Sequence, residues 1–564
     1  MRPTRIALLA LAVLLLAAPA AFAQRQVEVQ LLGINDFHGH LESTTPGTIA
    51  PDPASERVPA GGAEYLATHL RAKQAENRNT LIVSAGDLIG ASPLLSALFH
   101  DEPTIEAMNR IGLDLNAVGN HEFDEGAAEL RRMQRGGCHP VDGCQDGTGF
   151  AGADFRFLAA NVERANGRPL FRPYAIKRFR GIRIGFIGMT LEGTPDIVSP
   201  AGVAGLTFLD EAETANRYAR ELRRRGVHAV VVLLHEGGVQ SQPGGIDDCN
   251  GLTGPIVDIV ERTTQRVDLF VTGHTHSPYN CVIDGRPVTS SSSFGRVFAD
   301  IDVTLDRRSR DVVGVTADNQ VVTQNVFAAP DITALIGRYT EIAAPLRDRV
   351  IGRIAADVTR TAEPSGENAA GNLIADSQLA ATSAADTGAA VAAFMNPGGV
   401  RSDFLFAQSG SEGDGNMTYG EAFTVQPFGN SLVTMTLTGA QILEMLKQQW
   451  CGQEFARVLL PSASVHYDYS ASAAAALVGQ ACEGAANPVT GLTIGGAAVD
   501  PAASYRITVN SFLAEGGDRF AVLSDGTERL GGAVDLDALE AYLAPSLTGT
   551  AIAPPALDRI DVTP

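Results

Sequence analysis

Five segments of β-forming, largely apolar residues each run straight into side chains of the kinds that ligate metal ions. This repeated arrangement constrains the fold more than any other feature. Val27 to Ile34 leads into Asn35-Asp36-Phe37-His38-Gly39-His40, and Thr80 to Ser84 leads into Gly86-Asp87. Asn116-Ala117-Val118 leads into Gly119-Asn120-His121-Glu122-Phe123-Asp124, Ala229 to Leu234 ends in His235, and Val267 to Val271 leads into Gly273-His274-Thr275-His276. A single strand end with Asp or His reads as a turn or a cap. Five in one chain require a sheet arrangement that brings carboxyl ends together, the edge where open α/β sheets carry their chemistry. Amphipathic stretches at Ala63 to Ala75 and Glu211 to Arg225 lie between the apolar runs, so this half reads as an α/β domain.

Taken in order as D-x-H, G-D, G-N-H-E, H and G-H-T-H, the set is a composite metal motif. It resembles the calcineurin-like metallophosphoesterases and, more closely, the 5′-nucleotidases, a group that includes 2′,3′-cyclic nucleotide phosphodiesterases and nucleoside diphospho-sugar hydrolases. The resemblance implies an N-terminal metallophosphoesterase α/β sandwich holding two divalent cations. One would be bound by Asp36, His38, Asp87 and His276 and the other by Asp87, Asn120, His235 and His274, with Asp87 shared. Mixed nitrogen and oxygen ligation suits zinc, manganese or cobalt rather than calcium. His121 and Asp124 would form a dyad whose carboxylate orients the imidazole toward the phosphoryl or leaving oxygen. His40 reads as a residue at the site's edge or behind it. His69, His100, His139, His228 and His466 have no ligand-rich sequence neighbours and read as surface or packing residues.

The C-terminal half repeats the α/β pattern, with helices expected at Glu367 to Ala385 and Gly439 to Gln449 and strands at Ala389 to Met395, Leu432 to Leu437 and Tyr505 to Asn510. It has no comparable metal set. Its loops carry Asn396-Pro397-Gly398-Gly399-Val400-Arg401, Pro427-Phe428-Gly429-Asn430 and Phe512-Leu513-Ala514-Glu515-Gly516-Gly517-Asp518. Read alone, Arg401 is a surface turn residue and Phe428 and Phe512 are core residues. The family resemblance implies otherwise: Asn396 and Arg401 contact phosphate or ribose, Phe428 and Phe512 stack the base, and Asp518 binds the ribose. One departure stands out, because the family often has an arginine just before this domain's first helix and Pro364-Ser365-Gly366-Glu367-Asn368 has none.

Arg2 and Arg5 precede an apolar run from Ile6 to Ala18 that ends in Ala21-Phe22-Ala23, the pattern of a secretory signal peptide over 1–23. The run is shorter than a bilayer-spanning helix, and no second one follows, so the mature chain is expected to lack a transmembrane segment and to be periplasmic or extracellular. Losing Arg2 and Arg5 takes the formal charge from −21 to −23, which disfavours nucleic acid as a partner; a small phosphate ester can still bind where metal ions or a local arginine cluster reverse the field, and the resemblance implies a nucleotide or nucleotide-derived molecule. The six cysteines cluster as Cys138 with Cys144, Cys249 with Cys281 and Cys451 with Cys482, which suggests three disulfides in an exported chain.

The expected organisation is a metallophosphoesterase domain over 24–330, a connector helix over 331–350 and an α/β substrate-binding domain over 351–564. Ile332, Leu335, Ile336, Tyr339 and Ile342 share one face of the connector. The expected function is an exported two-metal phosphohydrolase acting on 5′-nucleotides. Alternatives are a cyclic-nucleotide phosphodiesterase or nucleotide-sugar diphosphatase on the same scaffold, or a non-catalytic nucleotide-binding or adhesion protein.

Overall fold

The computed structural model describes residues 25–43, 47–198 and 202–564; the signal segment expected over 1–23 lies outside the described residues. The chain forms two compact units. The first comprises 1–90, 99–194 and 204–338, and the second comprises 91–98, 195–203 and 339–564.

In the N-terminal unit, two six-stranded sheets pack face to face. The first runs, from edge to edge, Val312–Val321, Val297–Asp306, Gln26–Ile34, Thr80–Ser84, Leu113–Ala117 and Arg156–Leu158. Its last four strands are mutually parallel. The second runs Tyr279–Ile283, Arg286–Ser290, Leu269–Thr272, Ala229–His235, Ile182–Thr190 and Tyr174–Phe179, with four parallel strands between antiparallel edges. Ala229–His235 is buried at every residue, as a parallel strand covered on both faces must be. One face joins Val29, Leu31, Val83, Leu115, Val231, Leu233 and Val271 in the core between the sheets. The other face, with Val230, Val232 and Leu234, meets Ala215, Tyr218 and Leu222 of helix Glu211–Arg224 and Ile256 and Val260 of helix Pro255–Arg262. The Asp210 side chain starts the first of these helices by accepting from the Glu213 amide at 2.7 Å.

The helix expected at 331–350 runs from Pro330 to Arg347. Ile332, Leu335 and Tyr339 are buried as its periodicity requires, but Ile342 is 40% exposed and Ala343 is buried instead, so the buried stripe drifts by one residue along the helix. In the C-terminal unit a five-stranded sheet runs Leu460–Pro461, Ala392–Met395, Ser504–Asn510, Ser431–Thr438 and Thr527–Val534. A four-stranded sheet runs Ala497–Ala498, Val489–Ile494, Val465–Ser470 and Ile560–Thr563. Phe394, Met435, Trp450, Tyr467 and Ile507 centre one core of this unit. Helix Ala369–Thr382 packs Leu373 and Ile374 against Leu536 and Leu539 in another. The cysteines pair as their clustering suggests, 138 with 144, 249 with 281 and 451 with 482.

Gly188 sets how closely the two N-terminal sheets approach. A Cβ there would sit 2.4 Å from the Leu158 Cβ and 3.3 Å from the Ala117 Cα, both on the opposite sheet. Gly188→Ala is therefore expected to destabilise the protein by about 1–3 kcal/mol through overpacking. Denaturant unfolding of the variant checks this, and an unchanged midpoint would show that the sheets separate there without cost.

Candidate active site

The carboxyl ends of three strands of the first sheet and two of the second carry the side chains singled out in the sequence. Asp36 and His38 follow Gln26–Ile34, Asp87 follows Thr80–Ser84, Asn120 follows Leu113–Ala117, His235 ends its own strand, and His274 and His276 follow Leu269–Thr272. Packing the sheets face to face brings these five loops together. Ligand atoms of Asp36, His38 and His276 lie within 4.8 Å of one another, and so do those of Asp87, His235 and His274. One oxygen joins the groups: Asp87 Oδ2 is 3.0 Å from His235 Nε2 and 3.5 Å from His38 Nε2. Asn120 Oδ1 lies 3.1 Å from His235 Nε2, and Asp36 Oδ1 lies 3.4 Å from His276 Nε2.

Neighbouring backbone aims the imidazoles. His38 Nδ1 faces the Gly90 carbonyl and His235 Nδ1 the Ala85 carbonyl, each at 2.8 Å, so each Nδ1 donates and each Nε2 points into the site. Asp36 accepts from Asn35 Nδ2 at 2.6 Å and from the His274 amide at 3.0 Å. Five of the seven residues, Asp36, His38, Asp87, His274 and His276, have φ between 47° and 72°. Non-glycine residues in that left-handed region carry strain, which the surrounding packing must hold in place. Gly119 makes room for the bridge, since a Cβ there would lie 2.1 Å from Asp87 Oδ1.

These residues fit divalent cations. Asp36, Asp87 and His235 are buried, and their donors combine imidazole nitrogen with carboxylate oxygen. Two imidazole nitrogens, His38 Nε2 and His276 Nε2, lie 3.2 Å apart, close enough to serve one cation. Burial alone would lower the pKa of His235, but the carboxylates of Asp87, Asp36 and Glu122 outweigh it and push it up to about 10. The site thus draws positive charge to its centre, and a metal ion would supply that charge in place of the proton.

His121 and Asp124 sit beside this group. His121 Nδ1 is 2.9 Å from Asp124 Oδ2, and its backbone amide donates to Asp87 Oδ1 at 2.9 Å, coupling the pair to the Asp87 carboxylate. The His121 and His38 ring centroids are 5.1 Å apart. His40 lies behind the site, with Nδ1 2.8 Å from the His38 carbonyl and its ring tilted against Phe294 with centroids 4.0 Å apart, and burial lowers its pKa to about 3. His100 and His139, read from the sequence as surface or packing residues, meet in the fold. They stack on each other with centroids 3.7 Å apart, among Glu125 and Asp142. Sequence separation hid this, because the four residues come from three chain segments.

Sequence reasoning also passed over Glu122. Its Oε2 accepts from the amides of Asp87 and Gly119 at 2.9 and 2.6 Å, and its Oε1 from the Leu88 amide and Asn116 Nδ2, each at 3.0 Å. Burial, reinforced by the Asp87 charge, pushes its pKa up to about 7. Its place in G-N-H-E, beside a ligand and between two β-run ends, was the available signal.

In the C-terminal unit the residues singled out fall into two contacts. The Arg401 guanidinium lies over the Phe428 ring, 5.7 Å from its centroid. Asn396 Nδ2 donates to Asp518 Oδ2 at 2.8 Å and accepts from Asn510 Nδ2 at 2.9 Å through Oδ1, within reach of Arg457 Nε, 3.7 Å from Asp518 Oδ1. Asp518 has φ 54°. Phe512 packs against the core of its unit and against Gly517, where a Cβ would lie 2.5 Å from its ring.

The calcineurin-like phosphoesterase profile matches residues 29–278, and the profile of the 5′-nucleotidase C-terminal domain matches 350–525. The crystal structure of a 5′-nucleotidase precursor from Thermus thermophilus superposes with a TM-score of 0.74 at 26% identity, over 95% of this chain and 99% of that one. The chain belongs to the 5′-nucleotidase family. An endonuclease of Bacillus subtilis is 31% identical over 87% of the family member in hand, which spans 37% of that relative's length. A cell wall protein of Listeria monocytogenes is 31% identical over 89% of this chain, which spans 65% of it. The family's divalent ions match the two ligand groups. Among the described residues, no helix of this 5′-nucleotidase family member is long and apolar enough to cross a membrane.

Glu122→Gln replaces one acceptor oxygen by an NH2 group, and in either orientation two of the four donors lose their partner. Each such loss costs about 1–3 kcal/mol. The expected outcome is a lower unfolding midpoint together with faster loss of bound metal to a chelator. Unchanged values of both would remove Glu122 from the support of Asp87.

Proposed function

We propose that the chain is an exported nucleotide phosphohydrolase that uses two zinc-class cations, zinc, manganese or cobalt, to release phosphate from 5′-nucleotides. The observation that carries this reading is the Asp87 carboxylate, one oxygen of which stands against imidazoles of both ligand groups. In this reading one cation takes Asp36, His38, Asp87 and His276, and the other takes Asp87, Asn120, His235 and His274. Bound there, the cations would neutralise phosphoryl charge and acidify a water. Asp124 holds the His121 Nδ1 proton, so Nε2 is presented to a phosphoryl or leaving oxygen, to which the imidazolium form donates a proton. The Asp87 contact with the His121 amide keeps that donor in register with the metal ligands. Asn396, Arg401 and Asp518 would hold phosphate and ribose, and Phe428 and Phe512 the base, in a 24–330, 331–350 and 351–564 division of the chain.

A second reading, hydrolysis of nucleic-acid phosphodiesters, has one observation in its favour. In a chain of formal charge −21, Arg131, Arg135, Arg156, Arg164, Arg168 and Arg172 line a groove of about 700 Å³ on the N-terminal unit. A local basic surface of this kind attracts a phosphate backbone despite the net charge. The Bacillus relative's description as an endonuclease agrees with it.

A panel that measures inorganic phosphate together with chromatographic separation of the nucleotide and DNA products, on protein reloaded with single metals, separates the readings. AMP, ADP, ATP, UDP-glucose, 2′,3′-cyclic AMP and single-stranded DNA are the substrates. AMP turnover well above the others supports the proposal, and cleavage of DNA without AMP turnover overturns it. Asp87→Asn is expected to abolish every activity with loss of metal. His121→Ala is expected to keep its metal while turnover falls by roughly 10² to 10⁴. Phe428→Ala should lower nucleotide kcat/KM by about tenfold, from loss of a stacking face, and leave a small aryl phosphate unaffected. Equal losses on both substrates would assign Phe428 to packing.

A further inference from the structure

We propose that His100, His139 and Asp142, oriented by Glu125, form a binding site for one further zinc-class cation. It shares no side chain with the ligand groups around Asp87. Asp142 Oδ2 lies 2.9 Å from His100 Nε2 and 3.1 Å from His139 Nδ1, so one carboxylate oxygen stands against two imidazole nitrogens. Donors around a tetrahedral zinc, at about 2.0–2.2 Å from the ion, stand about 3.3–3.5 Å from one another. Ligand atoms of His100, Glu125 and His139 also lie within 4.8 Å of one another, and the two rings, stacked at an interplanar angle of 18°, must rotate for both lone pairs to converge on one ion. On its other side, His100 Nδ1 is 2.7 Å from Glu125 Oε2. That is the arrangement in which a carboxylate fixes a ligating histidine's tautomer and aims its second nitrogen at the metal.

A second observation points to a cation independently of spacing. The Asp142 backbone N–H points at His139 Nδ1 at 3.2 Å, which asks Nδ1 to accept. The same nitrogen is 3.1 Å from the Asp142 carboxylate, which asks it to donate. A neutral ring cannot do both, and a cation between the nitrogen lone pair and the carboxylate would satisfy that pair in place of the Asp142 N–H. The turn that holds His139 and Asp142 is built rigidly, closed by the Cys138–Cys144 disulfide and by reciprocal backbone bonds between His139 and Gly143 at 3.1 and 2.9 Å. His100 itself is held at φ 51°. Both imidazoles keep solvent access, with side chains 17% and 15% exposed, so an ion can enter.

The chemistry selects the ion. Two imidazole nitrogens and one carboxylate oxygen suit zinc, cobalt or nickel and not calcium or magnesium. Without metal, the Glu125 hydrogen bond outweighs burial and, with Asp142 and the charge of Glu129, raises the His100 pKa to about 9. Zinc must displace that proton, so binding releases it and tightens as pH rises toward 9. The consequence for the fold is a clasp: the ion would join the 138–144 turn to His100 and, through Glu125, to the chain immediately after Asp124.

The test uses metal-free full-length protein titrated with zinc alone at pH 8, with bound equivalents measured by elemental analysis after gel filtration. The expected result is three equivalents for the unaltered chain and two for His139→Gln and for Asp142→Asn, both with unchanged phosphate release. Glu125→Gln should retain the third equivalent at roughly 10- to 100-fold lower affinity. Anomalous scattering at the zinc edge should place a peak between His100 and His139, a readout that does not depend on any variant folding. Two equivalents in the unaltered chain, or a third that survives in both ligand variants, would overturn the proposal and leave a proton as the only occupant of the clasp.

Discussion

The arrangement depends on one buried carboxylate. Asp87 lies against imidazoles from two strand ends, and an ion-pairing group that is 1% exposed is tolerable only when its partners are close and its remaining positions are bonded. Those partners come from both sheets. His38 belongs to the loop after Gln26–Ile34 in the first, and His235 ends Ala229–His235 in the second. The face-to-face packing of the sheets is therefore a condition for the site, and the charge balance at Asp87 is in turn a condition for closing that packing around buried polar groups.

Backbone strain is concentrated where the ligands are. Asp36, His38, Asp87, His274 and His276 adopt left-handed φ without being glycines, while Gly119 yields the space that a side chain would take from Asp87. Such conformations persist because hydrogen bonds over-determine them, with Glu122 holding the Asp87 and Gly119 amides and Asp36 held by Asn35 and the His274 amide. These hydrogen bonds hold the side chains in place, which lowers the reorganisation that metal binding would require.

The core strands, and the side chains that the sheet ends bring together, were legible in the residues because both signals are local. A run such as Val230 to Leu234 can only be a strand buried on both faces, and a ligand that follows it inherits its position at the sheet's edge. The connector helix was legible in its extent and less so in its face, since Ile342 is exposed and Ala343 buried, and the stripe's drift depends on what packs against it. Glu122 escaped notice because its work is to accept hydrogen bonds from backbone amides, which carry no residue identity. His100 and His139 escaped because nothing in either sequence neighbourhood announces the other.

By itself the sequence determined the alternation of strands and helices, the residues able to ligate cations and the proximity of the cysteines that pair. These follow from periodicity, residue chemistry and short separations along the chain. Only the tertiary structure decided which ligands share an oxygen, which nitrogen of each histidine faces the site, and that His100, His139, Asp142 and Glu125 meet at all. Those relations depend on distances between residues far apart in the chain, and such distances exist only once two sheets have packed and excluded water from between them.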